Sequence, residues 1–187
     1  MDVEPSAIPD VLIIRPARHA DARGFFSEVY SRRVFAAAGI DIEFVQDNYS
    51  RSVDRGIVRG LHFQVPPFAQ HKLVCVTRGA IFGVAVDLRG GSASYGRAVT
   101  RTINAESWSQ WLVPAGFAHG YCTLEPNTDV AYKVSAYYSP EHDRGLLWND
   151  PALGIEWPIA TAAALLSERD RRHPTLAELP HYFTTSA

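Results

Sequence analysis

The sequence predicts a mainly β protein, an antiparallel jelly roll with a few short helices. Three observations lead there. Apolar runs of strand length recur along the 187 residues. Helical periodicity is confined to two short stretches. The runs are separated by turn formers: Pro66-Pro67, Arg78-Gly79, Gly90-Gly91-Ser92, Pro114-Ala115-Gly116 and Pro126-Asn127. Many short strands with regular turns bury their edges best as a sandwich or closed barrel.

Taken in order, 11–15 is an apolar strand. Residues 25–30 form a second strand after the turn Asp21-Ala22-Arg23-Gly24. Residues 31–38 are a helix that starts on Ser31, spaces Val34, Phe35 and Ala38 along one face, and stops at Gly39. Strands follow at 43–50, 56–64, 70–77, 80–88, 97–103, 109–113, 119–124 and 129–138. A second short helix is expected over 160–171.

The chain is 47% hydrophobic, enough for one sizeable core, so a single domain over 1–187 is expected. A net charge of -2 offers no basic field to nucleic acid. Nothing approaches the roughly 18 apolar residues of a membrane span. The stretch with Asp2, Glu4 and Asp10 lacks a signal-peptide pattern. Cys75 and Cys122 sit in apolar runs and are expected as buried thiols. These features predict a cytoplasmic enzyme or binding protein with no nucleic-acid or membrane partner. Of 18 Lys and Arg residues, only Lys72 and Lys133 are lysines. A lysine retained against that bias suits a task needing a compact, mobile ammonium.

The stretch Arg59-Gly60-Leu61-His62-Phe63-Gln64 is the most informative. Ionisable groups on a mostly apolar strand cost desolvation and need a reason to be there. Alternation groups His62 with Gly60 and Gln64, opposite Leu61 and Phe63, and sends Arg59 to the other face. For Arg59 and His62 to meet one ligand, Gly60 must allow a bulge, or Arg59 must reach in from the rim or a second subunit. Alone, His62 fits a hydrogen-bonded pocket histidine as well as a general base. Tyr132 shares a face with Val130 and Val134, as a core tyrosine or as an acid that returns a proton. Lys72 shares a face with Val74 and Val76, as a snorkelling lysine or as a cation aimed at a developing enolate oxygen.

A second run, from Trp111 through Pro114-Ala115-Gly116 to His119-Gly120, delivers a histidine just after a Pro/Gly turn. It resembles the second motif of cupin barrels. In metal cupins the first motif supplies two histidines one residue apart. Here the matching positions are His62 and Gln64, and alternation turns His71 away from the face of Lys72. The donors fall short of three protein ligands, so no metal is expected. No G-x-G-x-x-G stretch indicates a dinucleotide cofactor.

Further motifs span nearly the whole chain: Asp21-x-Arg23-Gly24-x-Phe26-x-Glu28, Phe44-Val45-Gln46-Asp47-Asn48-x-Ser50, Gln70-x-Lys72-Leu73-Val74, Val86-Asp87-Leu88-Arg89-x-Gly91-Ser92, Tyr132-Lys133, Tyr138-Ser139-Pro140, Trp148-Asn149-Asp150-Pro151 and Leu166-Ser167-Glu168-Arg169-Asp170. In this order and spacing the sequence resembles the dTDP-4-dehydrorhamnose 3,5-epimerases, cupin-like jelly-roll enzymes acting on sugar nucleotides. The resemblance implies His62 as general base, Asp170 as its carboxylate partner, Tyr132 as proton donor on the opposite face and Lys72 beside the ketone oxygen. It implies that His119 holds the sugar or phosphate, and that Arg23, Glu28, Gln46, Asn48 and Arg59 hold the nucleotide. Tyr138 matches an aromatic stacking on the thymine, and Phe26 lines the base pocket. Asp143 and Arg169 match binding positions with charge kept and side chain changed. The resemblance also implies a homodimer that exchanges N-terminal strands.

The implied reaction removes a proton beside a C4 ketone and returns it from the other side, at C3 and at C5, with no cofactor. It converts dTDP-4-dehydro-6-deoxy-D-glucose to dTDP-4-dehydro-L-rhamnose. The alternatives are a mono-epimerase acting at C3 or C5 only, a metal-dependent cupin enzyme, and a sugar-nucleotide-binding module without catalysis.

Overall fold

The computed structural model describes residues 1–184. Residues 185–187, the last of the expected 1–187 domain, lie outside the described residues. The strands run β1 Asp2–Pro5, β2 Leu12–Arg15, β3 His19–Asp21 and β4 Gly24–Phe26, then helix α1 Arg32–Ala37. They continue as β5 Gln46–Ser52, β6 Val58–Gln64, β7 Lys72–Arg78, β8 Ala80–Asp87, β9 Arg89–Gly90, β10 Ala98–Asn104 and β11 Gln110–Val113. The last are β12 Phe117–Thr123, β13 Thr128–Val134, β14 Asp143–Gly145 and β15 Phe183–Thr184.

Two antiparallel sheets carry the fold. One has six strands in the order β1-β2-β11-β7-β13-β5, the other five in the order β10-β8-β12-β6-β14. Sequence neighbours often sit in different sheets, which is the antiparallel jelly-roll arrangement expected from the short, turn-separated runs.

Alternation along these strands builds the shared core. Val74 and Val76 of β7, Trp111 and Val113 of β11 and Val130 of β13 meet Ile81 and Ala85 of β8, Val99 and Ile103 of β10, and Phe117 and Tyr121 of β12. The interdigitation is tight. A side chain at Gly83 would come within 2.9 Å of the Trp111 indole, so the small residue makes room for the large one. The five-stranded sheet is covered on its outer face as well. There Leu61, Phe63, Val84, Val86 and Ala118 pack against Leu146, Leu153, Leu179 and Phe183 of the C-terminal segments. That second layer explains why β12 is buried at every position. The outer face of the six-stranded sheet is covered in part by Phe35 of α1 and by Ile40, packed on Ile14, Leu73 and Leu112.

Three expectations need correction. Residues 160–171 do not form an α-helix; they hold only the 3-10 turns Thr161–Ala163 and Asp170–Arg172. Leu165 N–H donates to Gly56 O at 3.0 Å, and Leu165 O accepts from Val58 N–H at 2.9 Å. Ala164 is buried with Val58, Cys122 and Trp148. Pairing with the start of β6 and this packing outweigh a modest helix propensity. The strand expected over 25–30 shrinks to Gly24–Phe26, hairpinned on β3, with Phe26 71% exposed. The strand expected over 129–138 stops at Val134.

Candidate active site

A cavity of about 300 Å³ opens between the sheets, lined by Ser50, Arg59, His62, Lys72, His119, Tyr121, Tyr132, Ser167, Arg169 and Asp170. The strands that form the apolar core also form this cavity. Lys72 lies on the same face of β7 as Val74 and Val76, and Tyr132 on the same face of β13 as Val130. His62 and His119 face each other as register partners on β6 and β12. His62 therefore enters from the five-stranded sheet and Tyr132 from the six-stranded sheet.

The register of β6 against β12 shifts between His119 and Tyr121, so that Tyr121 opposes Arg59 while His119 opposes His62. This bulge turns Arg59 and His62 into the same cavity, which is the first of the routes strict alternation required. Gly60 makes it possible. Its φ is +130°, and a Cβ there would lie 2.6 Å from Gly120 Cα. Arg59 Nε donates to Ser52 Oγ at 3.2 Å, and its Nη2 donates to Arg51 O at 3.2 Å.

His62 Nε2 lies 2.7 Å from Asp170 Oδ1. Asp170 is fixed by two more contacts: Gly60 N–H donates to Oδ2 at 3.3 Å, and Asp170 N–H donates to Ser167 Oγ at 3.1 Å. Burial works to raise the Asp170 pKa, but contacts with His173 and His62 and the Gly60 N–H outweigh it and hold the carboxyl well below its usual range. An ionised Asp170 accepts a hydrogen bond from the Nε2–H tautomer of His62, the tautomer that leaves the Nδ1 lone pair free.

Lys72 is buried, and its Nζ donates to the His62 carbonyl at 3.2 Å. Burial pushes its ammonium down to about 8, against a smaller upward pull from Asp143. The lysine is thus charged at neutral pH yet poorly solvated, the condition in which it best stabilises a developing oxyanion. Burial also lowers His119 well below the ordinary histidine range, with the charges of Lys72 and His62 adding to the effect. Its Nε2 is buried without a hydrogen-bond partner among the described residues. A ligand oxygen would satisfy it. Burial raises the Tyr132 phenol, so it carries its proton at neutral pH.

A second group gathers at the rim. Arg169 pairs with Asp143 at 2.7 Å, and the Tyr138 hydroxyl donates to the same Asp143 Oδ2 at 3.2 Å. Gln46 Oε1 accepts from Tyr138 N–H at 3.0 Å, and its Nε2 donates to Asn48 Oδ1 at 2.9 Å. Arg23, Phe26 and Glu28 are not brought to the cavity of their own chain. Arg23 is exposed and paired with Asp21, Phe26 projects from the β3–β4 hairpin, and Glu28 is exposed beside α1.

Gln64 does not face the cavity as a metal ligand would. It braces the loops, donating to Phe68 O and Tyr137 O and accepting from Ser139 N–H. His71 Nδ1 accepts from Ala115 N–H at 3.4 Å. Among the described residues, His62, Asp170 and His173 place ligand atoms within 4.8 Å of one another, a set able to hold a divalent ion. Chelation by that set would have to break the 2.7 Å contact between His62 and Asp170.

A family model described as dTDP-4-dehydrorhamnose 3,5-epimerase matches residues 5–178. The chain belongs to that family. A Sinorhizobium fredii protein named dTDP-4-dehydrorhamnose 3,5-epimerase is 53% identical over 177 residues, 95% of this chain and 90% of the relative. A Bacillus anthracis 3,5-epimerase, solved with TDP and PPi bound, superposes with a TM-score of 0.90 at 45% identity, over 93% of this chain and 98% of that one. A Legionella pneumophila 3,5-epimerase in complex with dTDP-4-keto-L-rhamnose gives 0.92 at 38% identity, over 100% of this chain and 99% of that one.

Sequence reasoning about this epimerase-family chain missed four residues near His62. Tyr121 lines the cavity with its hydroxyl 2.8 Å from Ser50 Oγ. It lies two residues after His119, so alternation alone could have found it. Ser167, in a Ser-x-x-Asp turn before Asp170, could have been found by its spacing. Ser50 and His173 gave no local signal, because what matters about them is a contact with a distant strand.

Proposed function

We propose that the enzyme inverts C3 and C5 of dTDP-4-dehydro-6-deoxy-D-glucose to give dTDP-4-dehydro-L-rhamnose. One observation carries this reading: an imidazole held by an ionised carboxylate and a protonated phenol enter one cavity from different sheets, with a buried lysine lining the same cavity. Epimerisation needs a base and an acid on opposite sides of one ring. His62 takes the proton from the carbon beside the ketone. Lys72 faces the C4 oxygen as enolate charge develops, and His119 offers its unpartnered nitrogen to the sugar or phosphate. Tyr132 returns a proton from the other side. The ketone already acidifies both C–H bonds, so the scheme calls on no metal and no nicotinamide.

Arg59, Gln46, Asn48, Tyr138, Asp143 and Arg169 would hold the nucleotide at the rim. Arg23, Phe26 and Glu28 would serve the cavity of a second subunit by strand exchange in a homodimer. Two features support that assembly. The β3–β4 hairpin exposes Phe25 and Phe26, and the outer face of the six-stranded sheet keeps an apolar hollow lined by Val29, Leu73, Cys75, Trp108 and Ala131 among others. A monomer in sedimentation at micromolar concentration would remove this part of the proposal. The same reading takes 1–187 as one domain working in the cytoplasm. No helix among the described residues is long and apolar enough to cross a membrane.

The test is NMR of dTDP-4-keto-6-deoxyglucose incubated with the enzyme in heavy water. Deuterium is expected at both C3 and C5. Label at one carbon would make the enzyme a mono-epimerase, and no exchange at either would overturn the assignment of His62.

A further inference from the structure

Tyr121 has a ring that the core uses and a hydroxyl that the core does not. The ring belongs to the apolar cluster between the sheets, and the residue is 5% exposed. A phenylalanine would fill the same space, so the buried hydroxyl is the part whose desolvation needs a reason. The side chain starts on β12 of the five-stranded sheet and crosses to the six-stranded sheet, where its hydroxyl lies 2.8 Å from Ser50 Oγ on β5. Burial raises the phenol above its ordinary pKa, against the opposing pull of Ser50, the Arg59 charge and Ser52, so it keeps its proton at neutral pH.

A count of protons shows what this arrangement can bind. Hydroxyls linked in a row hold one more proton than there are links, whether the row is Ser50 and Tyr121 or takes in Ser52 as well. Among the described residues the acceptor beyond the row is Val130 O, 3.5 Å from Ser50 Oγ, longer than a well-formed O–H···O bond. Both Ser50 and Tyr121 line the cavity. The row therefore offers the cavity a donor and lone pairs together. A phosphate oxygen only accepts, whereas a sugar hydroxyl donates and accepts and matches both.

The strand rungs say which hydroxyl. On β12 and β6, His119 stands opposite His62, and Tyr121 stands opposite Arg59. In the reaction proposed above, C3 and C5 lie at the His62 rung, and the diphosphate on C1 lies at the Arg59 rung. C2 and the ring oxygen are the atoms that join C1 to C3 and C5, and of these two only C2 bears a hydroxyl. We propose that Tyr121 and Ser50 form a subsite for the C2 hydroxyl of the hexose and select sugar nucleotides that keep it over 2-deoxy ones. The proposal rests on the sugar-nucleotide reading of the cavity. C2 is not a reacting carbon, so its hydroxyl keeps one configuration while C3 and C5 invert, and one contact can hold the ring through both proton transfers.

The experiment is calorimetry with dTDP-6-deoxyglucose and its 2-deoxy counterpart, which lack the ketone and bind without reacting. The native protein should bind the ligand with the C2 hydroxyl about tenfold more tightly, the size of one well-placed hydrogen bond. In Tyr121→Phe that preference should fall to within about twofold, with the 2-deoxy ligand bound at least as well as by the native protein. Ser50→Ala should shrink the preference too, and it decides the matter if the Phe variant does not fold. Equal native affinity for the two ligands overturns the proposal. So does a preference that survives Tyr121→Phe because both ligands weaken alike, which would make the hydroxyl a brace for the fold. Binding of neither ligand removes the sugar-nucleotide reading and the subsite with it, whereas deuterium at both carbons beside an unmoved preference removes the subsite alone.

Discussion

The space between the two sheets has a dry end and a wet end, and the same strands build both. At the dry end Val74, Val76 and Val130 meet Ile81, Val99 and Ile103 with no ionisable group among them. At the wet end the same faces of β7 and β13 carry Lys72 and Tyr132, opposite His62 and His119. Trp111 joins the two: it belongs to the apolar cluster, and its ring lies 5.9 Å from that of His119. Stability and chemistry thus occupy adjacent rungs of one ladder. The dry end fixes strand positions closely enough that buried polar groups can be aimed a few residues further along. Substitutions at the two ends should accordingly fail in different ways.

The largest effect is expected at the base. His62→Ala should lower kcat by about 10²–10⁴-fold, the usual worth of a positioned proton-transfer group. Calorimetry should still find dTDP bound with near-native affinity, and near-native kcat would remove His62 from the mechanism. Lys72→Met comes next, at about 10²–10³-fold in kcat, comparable to losing one oxyanion donor. The native enzyme should also lose activity as pH rises through about 8, because burial lowers the Lys72 ammonium to about 8 and its charge disappears above that point. Lys72→Arg should carry the basic limb upward, and an unchanged limb would assign it to another group. The smallest effect belongs to the dry end. Ile103→Val should cost about 0.5–1.5 kcal/mol in denaturant unfolding and leave kcat within twofold. A kinetic effect as large as that of Lys72→Met would show that the two ends are not separable.

His62, Lys72 and Tyr132 were legible because strands were legible. Each sits in an apolar alternating run where an ionisable group needs a reason, and each reaches the cavity on the face that alternation assigned. Asp170 was different. It lies 108 residues from His62, and only the family resemblance proposed the pair, because no local period links a turn near the C-terminus to β6. Strict alternation alone sends Arg59 to the face opposite His62, and the bulge at Gly60, one of the routes the sequence left open, brings it into the cavity. The helix expected over 160–171 read an alanine-rich run by propensity, whereas Leu165 pairs with Ile57 and Ala164 packs with Val58 and Cys122, each more than 40 residues away.

By itself the sequence determined what depends on near neighbours: the β class, the turn positions, the inward faces of β7 and β13, and the ionisable residues His62, Tyr132 and Lys72 set in apolar runs. Tertiary structure alone decided that Arg59 joins His62, that the 160–171 segment lies along β6, and that two imidazoles meet one oxygen of Asp170. The physical reason is range. Alternation and turn chemistry act over a few residues, whereas a register shift or a shared carboxylate exists only after distant strands have packed.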